Sequence, residues 1–239
     1  MKLKKLLLIN KPQGQTPLEA LDKFREKHKA YNDAKLGYAG RLDPMANGLL
    51  LVLVGDENKS IGKYMKLDKE YQAKILLGFQ TDSYDLLGLP KSSKNLKNIN
   101  EVSKQIKKLK GNHLQELPIF SSYRIDGKPL FWYALHKKRI KLPKRTIKII
   151  STKINSTANK KGKDLLPNIF KKIDNVRGDF RQIKIKQKWK QLLENSKEDF
   201  LIIDLTIKCS GGTYIRSLAD ELGGCIYSLK RTKVGKHKL

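Results

Sequence analysis

The segment Gly37-Tyr38-Ala39-Gly40-Arg41-Leu42-Asp43-Pro44-Met45-Ala46-Asn47-Gly48 concentrates residue types that can do chemistry. Its glycines and its Asp-Pro pair force a tight, irregular backbone. The apolar run over residues 49–54 that follows reads as a buried strand. Asp43 is therefore expected at the rim of a core strand, on a rigid support. A carboxylate held in that way can act as a general base or as a nucleophile. An isolated Asp-Pro pair would be read only as a turn, so the rest of the chain has to decide. Metal chemistry finds little to build on. His28, His113, His136 and His237 are scattered without ligand spacing, and Cys209 and Cys225 form no C-x-x-C motif. Neither a metal site nor a disulfide framework is expected.

The elements that must position Asp43 follow from pattern. Residues 5–10 read as a first strand. They are not read as a signal peptide, because the apolar run at 6–9 is short and no small-residue cleavage site follows. Thr16-Pro17-Leu18-Glu19 opens a helix, with Thr16 as cap, Pro17 in the first helical position and Glu19 completing a capping box. Leu18, Leu21 and Phe24 recur at helical spacing and are expected to face the core. Tyr71, Ala73, Ile75 and Leu77 alternate as in a strand. Residues 80–98 read as polar loop, and 100–109 as a basic helix stopped by Gly111. Residues 117–124 read as extended, 130–136 as a short aromatic helix and 147–154 as a strand.

The stretch 155–199 is lysine-dense and reads as an inserted pair of helices, with Asp179 as an N-cap and Gln182 three residues on. A strand at 200–209, a helix at 213–222 ending near Gly223 and a short strand at 229–234 complete the chain. Strands and helices interleave irregularly. That favours an α+β fold with a mixed, largely antiparallel sheet flanked by helices. Residues 1–239 are read as a single domain carrying that insertion.

Lys and Arg number 51 against 23 Asp and Glu, a formal charge of +28. Such an excess faces water and attracts a polyanion: RNA, DNA or an acidic membrane. No stretch is long and apolar enough to span a bilayer, and no long amphipathic helix stands out for a membrane surface. The cytoplasm is the expected compartment.

The loop around Asp43 resembles the tRNA pseudouridine-55 synthase (TruB) family, whose signature is G-H-T-G-x-L-D-P-x-A-x-G-x-L. Residues 37–50 read G-Y-A-G-R-L-D-P-M-A-N-G-L-L. Three further blocks are similar to the family's, in the right order. They are Leu8-Ile9-Asn10-Lys11-Pro12 with Gly14 and Thr16; Lys69-Glu70-Tyr71 with Leu77-Gly78 and Thr81-Asp82; and Cys209-Ser210-Gly211-Gly212-Thr213-Tyr214-Ile215-Arg216. The resemblance covers most of the chain outside 91–112 and 155–199.

It implies a pseudouridine-synthase-like sheet and isomerisation of a uridine at position 55, in the T-loop of tRNA, without cofactor or metal. Asp43 corresponds to the family's carboxylate, Arg216 to its ion-pair partner and Tyr71 to its active-site tyrosine. Tyr214 and Leu229 match further pocket positions around the extruded base. Tyr38 stands where the family usually has His, and is expected to bind substrate through a stacking ring. The chain stops at Leu239, which leaves no room for a C-terminal PUA domain and argues against guide-RNA dependence. The expected partner is tRNA alone, bound by a monomer. A pseudouridine synthase for another RNA and a non-catalytic RNA-binding protein are the competing readings. A carboxylate in an RNA cleft repels phosphate, which weighs against the second.

Overall fold

The computed structural model describes residues 3–93 and 98–239. In chain order the α-helices and the strands of the main sheet are β1 (Leu6–Lys11), α1 (Pro17–Lys27), β2 (Leu36–Tyr38), β3 (Ala46–Val54), α2 (Ile61–Lys66), β4 (Lys69–Leu77), α3 (Ile99–Lys108), β5 (Gly111–Glu116), α4 (Leu130–Leu135) and β6 (Lys144–Lys161). Then come α5 (Gly162–Asp174), α6 (Gln182–Leu193), β7 (Asp199–Cys209), α7 (Ile215–Glu221), β8 (Gly224–Val234) and β9 (His237–Lys238). Among the described residues nine strands form one sheet in the order β1-β3-β8-β4-β7-β6-β5, with β2 paired to β3 and β9 to β8. Every pairing is antiparallel except β8 with β3. The α+β class and the largely antiparallel sheet read from the sequence are those observed.

Both faces of the sheet are covered, which is why β3 is apolar at consecutive positions instead of alternating. Leu50 and Val52 join one cluster with Leu21 of α1, and Leu49, Leu51 and Leu53 join another. On β4, Tyr71, Ala73, Ile75 and Leu77 face a core shared with α3 and α7. Leu76 faces the other way, toward Phe79 and Trp189 of α6. The pleat of β4 thus places Tyr71 on the α7 side and the α5–α6 hairpin on the opposite side. Thr16 caps α1 as its sequence predicts: its hydroxyl accepts from Glu19 N at 3.2 Å and the Glu19 carboxylate accepts from Thr16 N at 2.7 Å.

Several expectations are corrected. Leu18 is 61% exposed, because the inward stripe of α1 runs through Pro17, Ala20 and Leu21 and leaves Leu18 beyond its edge. Residues 117–124 are mostly irregular, and the strand β5 lies just before them. The strand predicted at 147–154 continues to Lys161, so the first part of the lysine-dense stretch is β-ribbon, paired from Ser156↔Asp204 to Lys161↔Asp199. The pair of helices is present, but Asp179 does not cap α6. The N-cap is Arg181, in left-handed backbone at φ 64°, while the Asp179 carboxylate accepts from Arg181 N at 3.1 Å and the Gln182 side chain accepts from Phe180 N at 2.8 Å. Strand β8 starts at Gly224, earlier than the predicted 229. Residues 94–97 of the predicted polar loop lie outside the described residues.

Candidate active site

Asp43 sits in the turn before β3. Ala46 N donates to Asp43 O at 3.0 Å, and Gly14 N donates to Pro44 O at 2.8 Å. Arg231 of β8, almost fully buried, braces the loop from below, donating from Nε to Leu49 O at 2.7 Å and from Nη2 to Gly40 O at 3.0 Å. Gly48 must be glycine: its φ is +100°, and a Cβ would lie 2.3 Å from Arg231 O. On this support the Asp43 side chain is one-third exposed and faces Arg216 of α7, whose side chain is 4% exposed. Arg216 donates from Nε to Asp43 Oδ2 at 2.7 Å and from Nη2 to Oδ1 at 3.2 Å. This two-pronged pair fixes the carboxylate plane. The rest of the guanidinium is tied down by Ser83 O at 2.6 Å and Phe120 O at 3.1 Å.

A second carboxylate stands behind. Asp85, side chain 6% exposed, lies 4.0 Å from Arg216 Nε, and accepts from Ser83 Oγ at 2.6 Å and Leu87 N at 3.0 Å. Burial pushes its pKa up to about 6, against the pull of Arg216. Burial works against the charge of Arg216 too, but Asp43 and Asp85 together hold it above its ordinary range. The result is one permanent cation between two acids, only one of which faces solvent.

Asp43 opens onto a cavity of about 840 Å³ whose lining includes Tyr71, Tyr214, Arg216 and Leu229. That size accommodates a small-molecule-sized group such as a nucleobase. Tyr71 is buried on β4 opposite Arg231, and burial raises its pKa. Leu229 is flanked by two small neighbours, Ala46 on β3 and Ala73 on β4, so its side chain closes an apolar wall. Tyr214 caps α7, and its backbone is gripped by the buried Gln115 amide, which accepts from Tyr214 N at 2.8 Å and donates to Tyr214 O at 3.0 Å. The structure does not bring Tyr38 to this group. Pairing of β2 with the far end of β3, Tyr38 opposite Val52, packs the Tyr38 ring onto the cluster of Leu7, Leu21 and Val52, outside the cavity lining.

Sequence reasoning passed over Asp85, Lys11, Lys69, Gln115 and Arg231. Lys11 is fully buried, with Nζ donating to Gln15 O at 2.6 Å and Pro12 O at 3.0 Å, and burial lowers its pKa to about 8 although Asp43 opposes this. Lys69 donates to Met65 O and Leu67 O, each at 2.6 Å, and burial likewise brings it to about 8. The available signal was a charge at the end of a strand's apolar run, as at Lys11, or a second acid soon after Thr81-Asp82, as at Asp85. Among the described residues no group of three or more His, Cys, Asp or Glu is placed to hold a metal ion. No helix among them is long and apolar enough to cross a membrane.

Comparison with known proteins gives the same direction. Residues 27–169 match the family described as TruB family pseudouridylate synthase (N terminal domain). A protein of Borreliella burgdorferi named tRNA pseudouridine synthase B is 32% identical over 240 residues, covering 98% of this chain and 70% of that protein. One of the same name from Endomicrobium trichonymphae is 32% identical over 237 residues, covering 96% and 84%. Among solved structures, a Cbf5-Nop10-Gar1 complex superposes with a TM-score of 0.57 at 19% identity. The match covers 98% of this chain and 49% of that one, so the chain spans about half the length of its structural neighbour and shares its fold. The signature loop lies inside the matched family region, and the relatives align over nearly the whole chain. The chain belongs to the TruB family of pseudouridylate synthases.

Proposed function

We propose that the protein isomerises the uridine at position 55, in the T-loop of tRNA, to pseudouridine without a cofactor, acting as a single catalytic domain. The relatives' shared name supports tRNA as the substrate. The observation that carries the chemistry is the Asp43–Arg216 pair on the wall of a cavity large enough to admit a nucleobase. In this reaction the C1′–N1 bond breaks, the uracil turns, C5 bonds to C1′, the proton at C5 is lost and N1 gains one. Asp43 serves as nucleophile at C1′ or as base at C2′, and in both routes its carboxylate is held in place by the two-pronged contact with Arg216. Tyr71 stacks on the uracil with its phenol near C5, while Tyr214 and Leu229 complete the slot. Because a uridine in a folded loop must be extruded, phosphate contacts from the lysine-rich surface offset an unstacking cost of a few kcal/mol.

The test is tritium release from tRNA labelled at C5 of uridine, with wild type and Asp43→Asn side by side. Wild type is expected to release tritium. The variant should release none while its RNA affinity stays within a few-fold. Turnover by the purified variant would remove Asp43 from the chemistry.

A further inference from the structure

The α5–α6 hairpin hangs between β6 and β7, yet its connecting loop reaches the cavity, where Asp179, Phe180 and Arg181 join the lining. Arg181 occupies left-handed backbone at φ 64°, which costs a residue with a Cβ. A strained residue kept at a cleft is worth explaining. Its guanidinium donates to Asp82 twice, from Nη1 at 2.8 Å and from Nη2 at 3.3 Å, and lies over the Phe120 ring with 4.6 Å to the centroid. These two partners belong to the segments that hold Arg216. Ser83, next to Asp82, and Phe120 itself supply the carbonyls that accept from Arg216 Nη1 and Nη2. Arg181 therefore staples together two loops whose separation sets where the Arg216 fork, and with it the Asp43 carboxylate, can sit.

We infer that Arg181 is a positioning residue, acting through the Ser83 and Phe120 carbonyls to hold the Arg216–Asp43 pair in register. This rests on the isomerase reading of the site. The hairpin does not depend on Arg181 to stay docked, since Leu165, Ile169, Ile185 and Trp189 bury it against Phe79 and Leu86, and Trp189 Nε1 donates to Leu86 O at 3.3 Å. Misplacement of a reacting group by about 1 Å is enough to cost about 10²-fold in rate.

The experiment compares single-turnover tritium release and RNA affinity for wild type, Asp43→Asn, Arg181→Gly, Arg181→Lys, Asp82→Asn and the double variant Arg181→Gly/Asp82→Asn. Glycine suits the left-handed backbone, so Arg181→Gly should keep the wild-type Tm. At saturating RNA its rate should fall by about 10–100-fold, with Kd within a few-fold. Lysine keeps the charge but not the two-pronged fork, and should restore little. The double variant should be no slower than the slower single one, because both break the same staple. A raised Kd with normal rate, full rescue by lysine, or multiplying effects in the double variant would each overturn the inference and make Arg181 a simple RNA contact. A wild type that releases no tritium overturns the functional reading as well. An active wild type with an unaffected Arg181→Gly overturns this inference alone.

Discussion

Asp85 is a carboxyl group whose environment alters its chemistry. Burial brings its carboxyl to about 6, with Arg216 pulling the other way. An unfolded aspartate titrates near ~3.9, so the folded state holds this proton more tightly. The stability contributed by protonated Asp85 is fully present below about pH 4 and is lost as the pH rises through 6. Activity should run the opposite way, since only ionised Asp85 helps to anchor Arg216. We expect the single-turnover rate to fall toward acid with a midpoint near pH 6, and Asp85→Asn to be slower and to lack that limb. A variant profile that keeps the wild-type limb would assign the titration to another group. Asp43 and Arg216 were legible in the sequence because each lies in a long block of family signature. Asp85 lies outside the family blocks, and the burial of Lys11 and Lys69 within them was not legible, since a charge becomes buried only through distant segments that cover it. Tyr38 shows the converse: its position in the signature is right, but strand pairing aims its ring elsewhere.

At the scale of elements, the opening turn and the hairpin meet at one glycine. Gly14 N donates to Pro44 O beside Asp43, and Gly14 O accepts from Arg177 N of the hairpin loop at 3.2 Å. Its φ is +92°, and a Cβ would lie 2.0 Å from Asn175 O. Gly14→Ala therefore combines a strained backbone with a backbone clash, and should lose about 2–4 kcal/mol of stability, read from denaturant midpoints, together with turnover. A neutral effect would mean that the hairpin loop gives way freely. The helices α5 and α6 were anticipated from the lysine-dense composition of their stretch, although the cap signal read at Asp179 was not the one used. The ribbon before them was not, because residues 155–161 are nearly all exposed and polar on both faces. Backbone pairing with β7 makes that strand, and backbone pairing leaves no mark on side-chain periodicity.

Across the whole molecule the +28 charge governs encounter with RNA. Each phosphate neutralised by Lys or Arg releases counterions, so affinity should fall steeply between 50 and 200 mM salt, by about 10³–10⁵ if some 6–10 phosphates are contacted. The single-turnover rate at saturating RNA should stay flat over the same range, because Asp43 and the buried Arg216 are in direct two-pronged contact, a separation far shorter than the screening length. A flat Kd would divorce the lysines from RNA binding. Fold class was legible from strand alternation and irregular interleaving, but strand order was not, since order depends on which edges meet and the central strands offer similar apolar faces.

That order carries a further consequence. Strand β8 lies between β3, which leads from the Asp43 turn, and β4, which bears Tyr71, and it pairs with both. Until residues 224–234 emerge from the ribosome, no strand pairing joins the piece of sheet that carries the carboxylate to the piece that carries the tyrosine. Translation of that one strand is what turns a nascent chain into an enzyme.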